Sequence, residues 1–436
     1  MQSAEDSWLL VLLYVLAASA ATALYLARRR RRERGFAVVH AESIEQGLNE
    51  PPSLHPVVNP NQCIGSGGCV TACPEGALGI VAGKAVLVQA ASCIGHGACQ
   101  AACPVEAIKL VFGTEKRGMD IPEVSPTFES NVPGLFIAGE LGGMGLIRKA
   151  AEQGRQAIEA IRKRKAGPEE LEVLIVGAGP AGLSAGLSAM ERGLRYRLIE
   201  QEDSLGGSVY HYPRNKIAMT APVVLAIVGK VKMGEIQKER LLEFWQGVVD
   251  KTGLKVNYNE RMDGIQRNGE SFSVTTNRGT LQAKSVLLTI GRRGTPRKLG
   301  VPGEESAKVV YRLIDAEQYR GQAVLVVGGG DSALEAAIAL SEQAGTSVTL
   351  SYRSEAFSRV KQKNRDRLQA QAAAGRLEVL LNSTVERIEA EALVLKTEQG
   401  ERRLANDAVV VCAGGVLPTP LLQSVGIRFA TMHGNE

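Results

Sequence analysis

Apolar and polar positions change rhythm several times along the chain, and each change predicts a different element. Trp8 to Ala27 is an unbroken run of 20 residues without a charge. As a helix rising about 1.5 Å per residue it spans roughly 30 Å, the thickness of a bilayer's hydrocarbon core. Downstream, short apolar runs alternate with glycine turns and Ala- and Leu-rich helical stretches. Leu171-Glu-Val-Leu-Ile-Val176 and Ala323-Val-Leu-Val-Val327 read as buried strands, and Val409-Val-Val-Cys412 as a third, with Cys412 a small buried hydrophobe. Strand, glycine turn, helix and strand in succession predict an α/β fold with parallel sheets.

Charge sharpens the reading of the first run. Glu5 and Asp6 precede it, and Arg28 to Arg34, six Arg and one Glu, follow it. A cleaved signal peptide has the opposite order, so an uncleaved single-pass anchor in the cell membrane is expected, with a signal peptide or a buried helix as alternatives. The basic run then marks the cytoplasmic side, and the bulk of the chain lies there with it. Residues 1–34 are read as anchor and basic stop-transfer. Residues 35–58, with Pro51, Pro52 and Pro56, are read as a tether.

The 436 residues suit about three folded units. The formal charge of +5 equals that of the arginine run, so the remainder is neutral. That argues against a nucleic-acid-binding surface, and membrane lipid is the expected partner of the basic segment.

Six of the seven Cys lie between residues 63 and 103 in two copies of one pattern. Cys63-Ile-Gly-Ser66-Gly-Gly-Cys69-Val-Thr-Ala-Cys73-Pro74 returns as Cys93-Ile-Gly-His96-Gly-Ala-Cys99-Gln-Ala-Ala-Cys103-Pro104. Clustered short spacings favour a metal site over scattered disulfides. The segment 59–112 resembles the two-cluster bacterial ferredoxins, with their C-x2-C-x2-C-x3-C-P motif. That resemblance implies two [4Fe-4S] clusters in a small α+β domain. One would be held by Cys63, Ser66, Cys69 and Cys103, the other by Cys93, His96, Cys99 and Cys73. Ser66 and His96 depart from the family's Cys. The Ser66 site is open to a [3Fe-4S] cluster, and His96 would raise a reduction potential. One cluster, no cluster and a structural zinc stay open as alternatives.

Gly177-Ala-Gly179-Pro180-Ala181-Gly182 follows the first apolar strand, and Tyr196-Arg-Leu-Ile-Glu200 ends in an acid 23 residues after Gly177. Strand, G-x-G-x-x-G, helix and acid make a dinucleotide fingerprint: the pyrophosphate rests on the helix N-terminus and Glu200 takes the ribose hydroxyls. Gly328-Gly-Gly330-Asp331-Ser332-Ala333 repeats the turn. The same offset lands on Ser351, followed by Tyr352, Arg353 and Arg359. Arg in place of the acid suits a 2′-phosphate, favouring NADP, with NAD open.

Two such units resemble the thioredoxin-reductase-like flavoproteins. The resemblance implies two Rossmann-like domains, one inserted in the other: FAD on 171–295, NAD(P) on 296–407, and 408–436 returning to the FAD domain. Thr289 to Pro296 and Val301-Pro-Gly-Glu304 resemble the family's hinge, and Val409 to Gly415 its return strand. The family's Cys-x-x-Cys is missing, since residues 295–327 hold no Cys. Gly207 belongs to the expected flavin pocket, and Tyr210 or Tyr212 could stand beside the flavin ring. No other catalytic residue is assigned.

Gly134-Leu-Phe-Ile-Ala-Gly139-Glu140 resembles the same family's closing segment, with Glu140 in place of Asp. Residues 113–165 are therefore expected to close the FAD domain by circular permutation. Gly139 and Glu140 would hold the flavin, and a helix from Ile147 to Ala160 would aim its N-terminal dipole at the flavin pyrimidine. The sum is a membrane-anchored NAD(P)H:acceptor oxidoreductase. Electrons from NADPH are expected to pass through FAD and iron–sulfur clusters to quinone, cytochrome or ferredoxin, with homodimerisation open. A disulfide reductase lacking its own Cys pair and a redox sensor are the rival readings.

Overall fold

A computed structural model describes residues 2–434 except 46–49, 52–53, 96, 116–117, 144, 169, 213, 215, 221, 293, 358–359 and 417. Two units emerge, one reaching to Thr114 and one from Glu115 to His433.

The first unit begins with a helix, Gln2–Glu45, that runs unbroken through the basic residues. The expected tether is thus helical over nearly its first half, to Glu45. No proline interrupts the chain before Pro51, and the continuation is held by Phe36, which packs against Gly79. The rest is small and duplicated. His55–Val58 pairs antiparallel with Ile108–Val111, and Leu78–Val81 with Lys84–Leu87. The short helices Gly68–Ala72 and Ala98–Ala101 follow matching left-handed glycines, Gly65 and Gly67 in one copy, Gly95 and Gly97 in the other.

The second unit contains two parallel sheets. The first has the order Leu135–Ile137, Val286–Leu288, Val173–Val176, Tyr196–Ile199. These runs read as continuous apolar segments because both faces are covered. Residues 135–137, 173–176 and 286–288 are all buried. Helices Ile147–Ile161 and Pro180–Glu191 pack closely, since a Cβ on Gly154 would strike the Ala181 carbonyl. The second sheet has the order Val309–Val310, Ala408–Val411, Ala323–Val327, Ser347–Ser351, Leu377–Leu380. Each sheet is interrupted by a three-stranded antiparallel meander, residues 262–283 in one and 384–405 in the other.

The duplication corrects one boundary. Ala408–Val411 lies in the second sheet, beside Ala323–Val327, in the place Val286–Leu288 takes in the first. The chain leaves the second sheet only afterwards, where Gly415–Val416 pairs antiparallel with Thr295–Pro296. Beyond that ribbon, Leu422 and Ile427 join Val132, Leu135 and Ile137 in the first sheet's core. Phe429–Met432 pairs with Met119–Pro122. Cys412 falls one residue past its strand and is partly exposed.

Glu304 fixes the turn after the first crossing. Its carboxylate accepts from the Leu299 N–H (2.5 Å), the Gly300 N–H (2.7 Å) and the Tyr311 hydroxyl (2.8 Å). Burial alone would raise its pKa, but those three donors outweigh it and hold the carboxyl below the usual range. Burial, and after it the same contact, pushes Tyr311 up to about 12. A depressed carboxyl stabilises the fold fully above the ordinary value of about 4.3, and the contribution fades as pH falls through the lowered value. Glu304→Gln is expected to lower stability by about 2 kcal/mol near neutrality, the scale of a charged hydrogen bond. In urea titrations repeated from pH 7 down to pH 3, the gap between variant and parent should narrow with acid.

Candidate functional site

A cleft of about 2350 Å³ runs through the second unit, and both glycine turns open onto it. On the first side, Gly177 has φ 106° and stands so near Thr289 that a Cβ would lie 2.8 Å from the Thr289 carbonyl oxygen. Gly182 lies beneath, where a Cβ would collide with the Gly177 carbonyl. Thr289 locks the arrangement by placing its hydroxyl 2.8 Å from the carbonyls of Val176 and Gly177. Gly179 caps the 12-residue helix that begins at Pro180, and Ala181 lines its first turn. Gly207 approaches Gly179 so closely that its Cβ would lie 3.1 Å from the Gly179 Cα. Bare backbone at a helix N-terminus is what a pyrophosphate needs.

Glu200 ends its strand inside the cleft, 6 % exposed. Burial pushes its carboxyl up, while N–H groups of Ala178 (2.6 Å) and Glu202 (3.1 Å) draw it down. Across the cleft, the Gly139 N–H donates to the Gln153 side chain at 2.8 Å, and Glu140 and Ile147 line the wall. Thus the loop that follows the strand at 135–137 and the helix from Ile147 share one cavity with the 177–182 turn. These residues fit an FAD: a Cβ-free cradle, a buried ribose acceptor and a second helix end.

The second glycine turn has a different floor. Gly328 has φ 146° and lies against the Cys412 carbonyl, and Gly330 caps the Asp331–Ser341 helix. Asp331 lines the cleft, but its carboxylate is engaged by the Lys361 N–H (3.0 Å) and the Asn364 amide (2.7 Å). Ser332 and Arg353 line the cleft. Where Glu200 stands in the first sheet, the second has Ser351, buried and 2.8 Å from the Ser383 hydroxyl. A non-ionised floor beside Arg353 fits a phosphorylated ribose. Arg359 lies outside the described residues.

The tyrosines separate. Tyr212 lines the cleft, whereas Tyr210 does not and is 40 % exposed, with Lys238 above its ring. Sequence reasoning missed residues that link the two lobes. His211 meets Arg312, and Lys216 pairs with Glu335 at 3.1 Å. Arg292 also lines the cleft: burial lowers its pKa, with Glu140 and Asp120 opposing. Its place in the Thr289–Pro296 link was the available signal.

In the first unit the thiols sort into two neighbourhoods. Burial raises Cys69, and the charges of Cys63 and Cys103 raise it further. Burial pushes Cys99 up to about 11, with Cys93 and Cys73 adding to it. A small cavity is lined by Cys73, Cys93 and Cys99 with Gly95 and Gly97. Backbone N–H groups point at sulfur, from Ala85 to Cys63 (3.4 Å) and from Ala107 to Cys103 (3.2 Å). Ser66 is exposed, and His96 lies outside the described residues. Among the described residues no three His, Cys, Asp or Glu converge on a single metal ion. Thiols grouped by threes, two buried and one half-buried in each group, with N–H donors and left-handed glycines, fit a cluster that takes one thiolate per corner.

Residues 174–432, more than half of the chain, match the model of the pyridine nucleotide-disulphide oxidoreductases. The chain belongs to that family. Residues 55–104 match the 4Fe-4S dicluster domain. A ferredoxin–NADP reductase of Thermus thermophilus is 32 % identical over 271 residues, covering 59 % of this chain and 77 % of that one. Another from Acholeplasma laidlawii is 34 % identical over 268 residues, with 59 % and 78 % covered. Among solved structures, the bacillithiol disulfide reductase Bdr of Staphylococcus aureus is similar, with TM-score 0.53 and 25 % identity over 62 % of this chain and 86 % of that one. This member of the oxidoreductase family is an FAD-dependent NAD(P)H oxidoreductase carrying a 4Fe-4S domain. Its departure from the family's name is chemical, since no Cys lies between residues 295 and 327.

The crowding beneath the first turn predicts its fragility. Gly182→Ala should cost about 1–3 kcal/mol by overpacking, because the obstacle is backbone and cannot swing away. A lower urea midpoint together with loss of bound flavin on gel filtration is expected.

Proposed function

We propose that this oxidoreductase is anchored in a membrane and moves electrons between NADP(H) and a one-electron carrier through FAD and two iron–sulfur clusters. The observation that carries this reading is the single cleft onto which both glycine turns open. Bound FAD supplies the exchange between a two-electron hydride and single electrons. The chain's residues supply position and charge. Gly179 and Pro180 present the helix N-terminus to the FAD pyrophosphate, and Glu200 accepts from its ribose. The N-terminus of the Ile147–Ile161 helix offers positive dipole where negative charge develops. Gly328, Gly330 and Ser332 hold the nicotinamide dinucleotide, and Arg353 takes the 2′-phosphate. Residues 113–165 act as the flavin domain's closing piece, in support of which Leu135–Ile137 lies beside Val286–Leu288.

The clusters are assigned to Cys63, Cys69 and Cys103 with Ser66, and to Cys73, Cys93 and Cys99 with His96. The two thiol neighbourhoods support that division. The Ser66 site is the candidate for a three-iron cluster. Placement in the membrane is supported by one helix, long and apolar enough to cross it, followed by the basic run. The positive-inside rule puts the bulk of the chain in the cytoplasm. The ferredoxin–NADP reductases among the relatives make a ferredoxin-type carrier one partner to test. A second reading, direct reduction of a small disulfide by the flavin, draws on the likeness to the bacillithiol disulfide reductase.

Anaerobically purified protein is expected to contain flavin, iron and sulfide. NADPH should bleach the flavin's visible absorption and raise a cluster EPR signal. In Cys99→Ala the bleaching should persist while one cluster signal and the rate to one-electron acceptors fall. Iron-free protein that keeps full acceptor activity overturns the proposal. Turnover of a small disulfide by a variant lacking all six clustered Cys would favour the second reading. Arg353→Ala should raise KM for NADPH about tenfold, the loss of a charged hydrogen bond, and leave KM for NADH nearly unchanged.

A further inference from the structure

Two contacts beyond the apolar stretch tie the N-terminal helix to the cysteine-bearing part of the same unit. Phe36 lies against Gly79, where a Cβ would stand 2.6 Å from ring carbons. Arg29 places a guanidinium nitrogen 3.7 Å from where Gly65 would carry its Cβ. Arg29 is two residues past Ala27, about 3 Å of helical rise. The Cys63–Cys69 loop, which contains Gly65, therefore stands within one Arg side chain's reach of the end of the apolar run. The two contacts are about 10 Å apart along the helix, so they set the loop's orientation as well as its height.

The loop's surface suits that location. Cys63 is buried, but its neighbour Ile64 is 64 % exposed. Lys84 donates to the Cys63 carbonyl at 2.7 Å, and Arg29 approaches from the helix. An exposed aliphatic side chain flanked by basic groups is the composition of elements that lie in a bilayer interface. The arginine run beside it complements anionic headgroups.

We propose that the Cys63–Cys69 loop is seated in the headgroup layer of an anionic bilayer, with Ile64 inserted. This rests on the membrane anchor proposed above. A carrier that meets the cluster on this loop then approaches it along the membrane and not from bulk water.

The full-length protein supplies the test. Trp8 opens the apolar run, and Trp245 is buried in the other unit, 2 % exposed. Ile64→Trp in a Trp8→Phe background is placed in phosphatidylglycerol vesicles with acyl chains brominated near the headgroup. Its emission is compared with that in unbrominated lipid, so that quenching by bound cofactors cancels. The introduced indole should be quenched, and adding Phe36→Ala should abolish that quenching by freeing the loop. Trp8 of the unaltered chain is read in the same lipids. If Trp8 is quenched and the introduced indole is not, the loop faces water or a soluble partner and the proposal is wrong, while the anchor stands. If neither is quenched, the anchor has failed and the proposal with it. Hydrogen–deuterium exchange of residues 60–67 in the unaltered chain gives a measurement free of substitutions. Exchange should be slower in anionic bilayers than in a neutral polymer belt, and equal exchange overturns the proposal.

Discussion

Between Gly177, Gly182 and Thr289 there is no room for one more carbon. A Cβ on Gly182 would meet the Gly177 carbonyl and stand 2.7 Å from the Thr289 hydroxyl oxygen. That crowding draws the Pro180–Glu191 helix hard against the ends of the Val173–Val176 and Val286–Leu288 strands. Its first N–H groups are then left bare toward the cleft, with no side-chain cap. Unpaired donors at a helix start need a partner, and an anionic group is the partner that costs least. The second lobe reaches the same result at Gly328, pressed on the carbonyl of Cys412. The proposed nucleotide sites thus follow from backbone packing, and the side chains around them adjust which nucleotide is held.

Glu200 and Ser351 show that adjustment at matching positions. Glu200 directly follows the Tyr196–Ile199 strand, Ser351 ends the Ser347–Ser351 strand, and both are buried. One presents a carboxylate already accepting two N–H groups, the other a hydroxyl tied to a neighbouring serine. A buried carboxylate repels a phosphate, whereas a neutral floor with Arg353 at the rim admits one. The preference rests on removal of a charge as much as on the addition of a cation.

Features that depend on short-range backbone demands were legible in the sequence. The glycine turns, the acid at Glu200 and the paired cysteine motifs all impose fixed spacings within about 25 residues. Features decided by long-range packing were not. Nothing local distinguishes a helix that ends at Arg34 from one that continues to Glu45, because the continuation is held by Phe36 on Gly79. Tyr210 and Tyr212 are equivalent by composition, and only packing of the 207–212 turn sends one inward. Ala408–Val411 reads as an apolar strand in any case, and which sheet receives it depends on its neighbour, Ala323–Val327. The lobe-bridging pairs His211–Arg312 and Lys216–Glu335 are separated by about a hundred residues or more and carry no motif.

The pairing of Thr295–Pro296 with Gly415–Val416 bears on how force passes between the lobes. The two chain passages run side by side, hydrogen-bonded to each other, and so behave as one twisted cord rather than two independent strings. Rotation about that cord strains it little, whereas pulling or sliding the lobes apart loads both passages at once. The linkage is compliant in torsion and stiff in extension, so a mechanical load applied to one lobe reaches the other mainly as tension along the cord, and twist is absorbed.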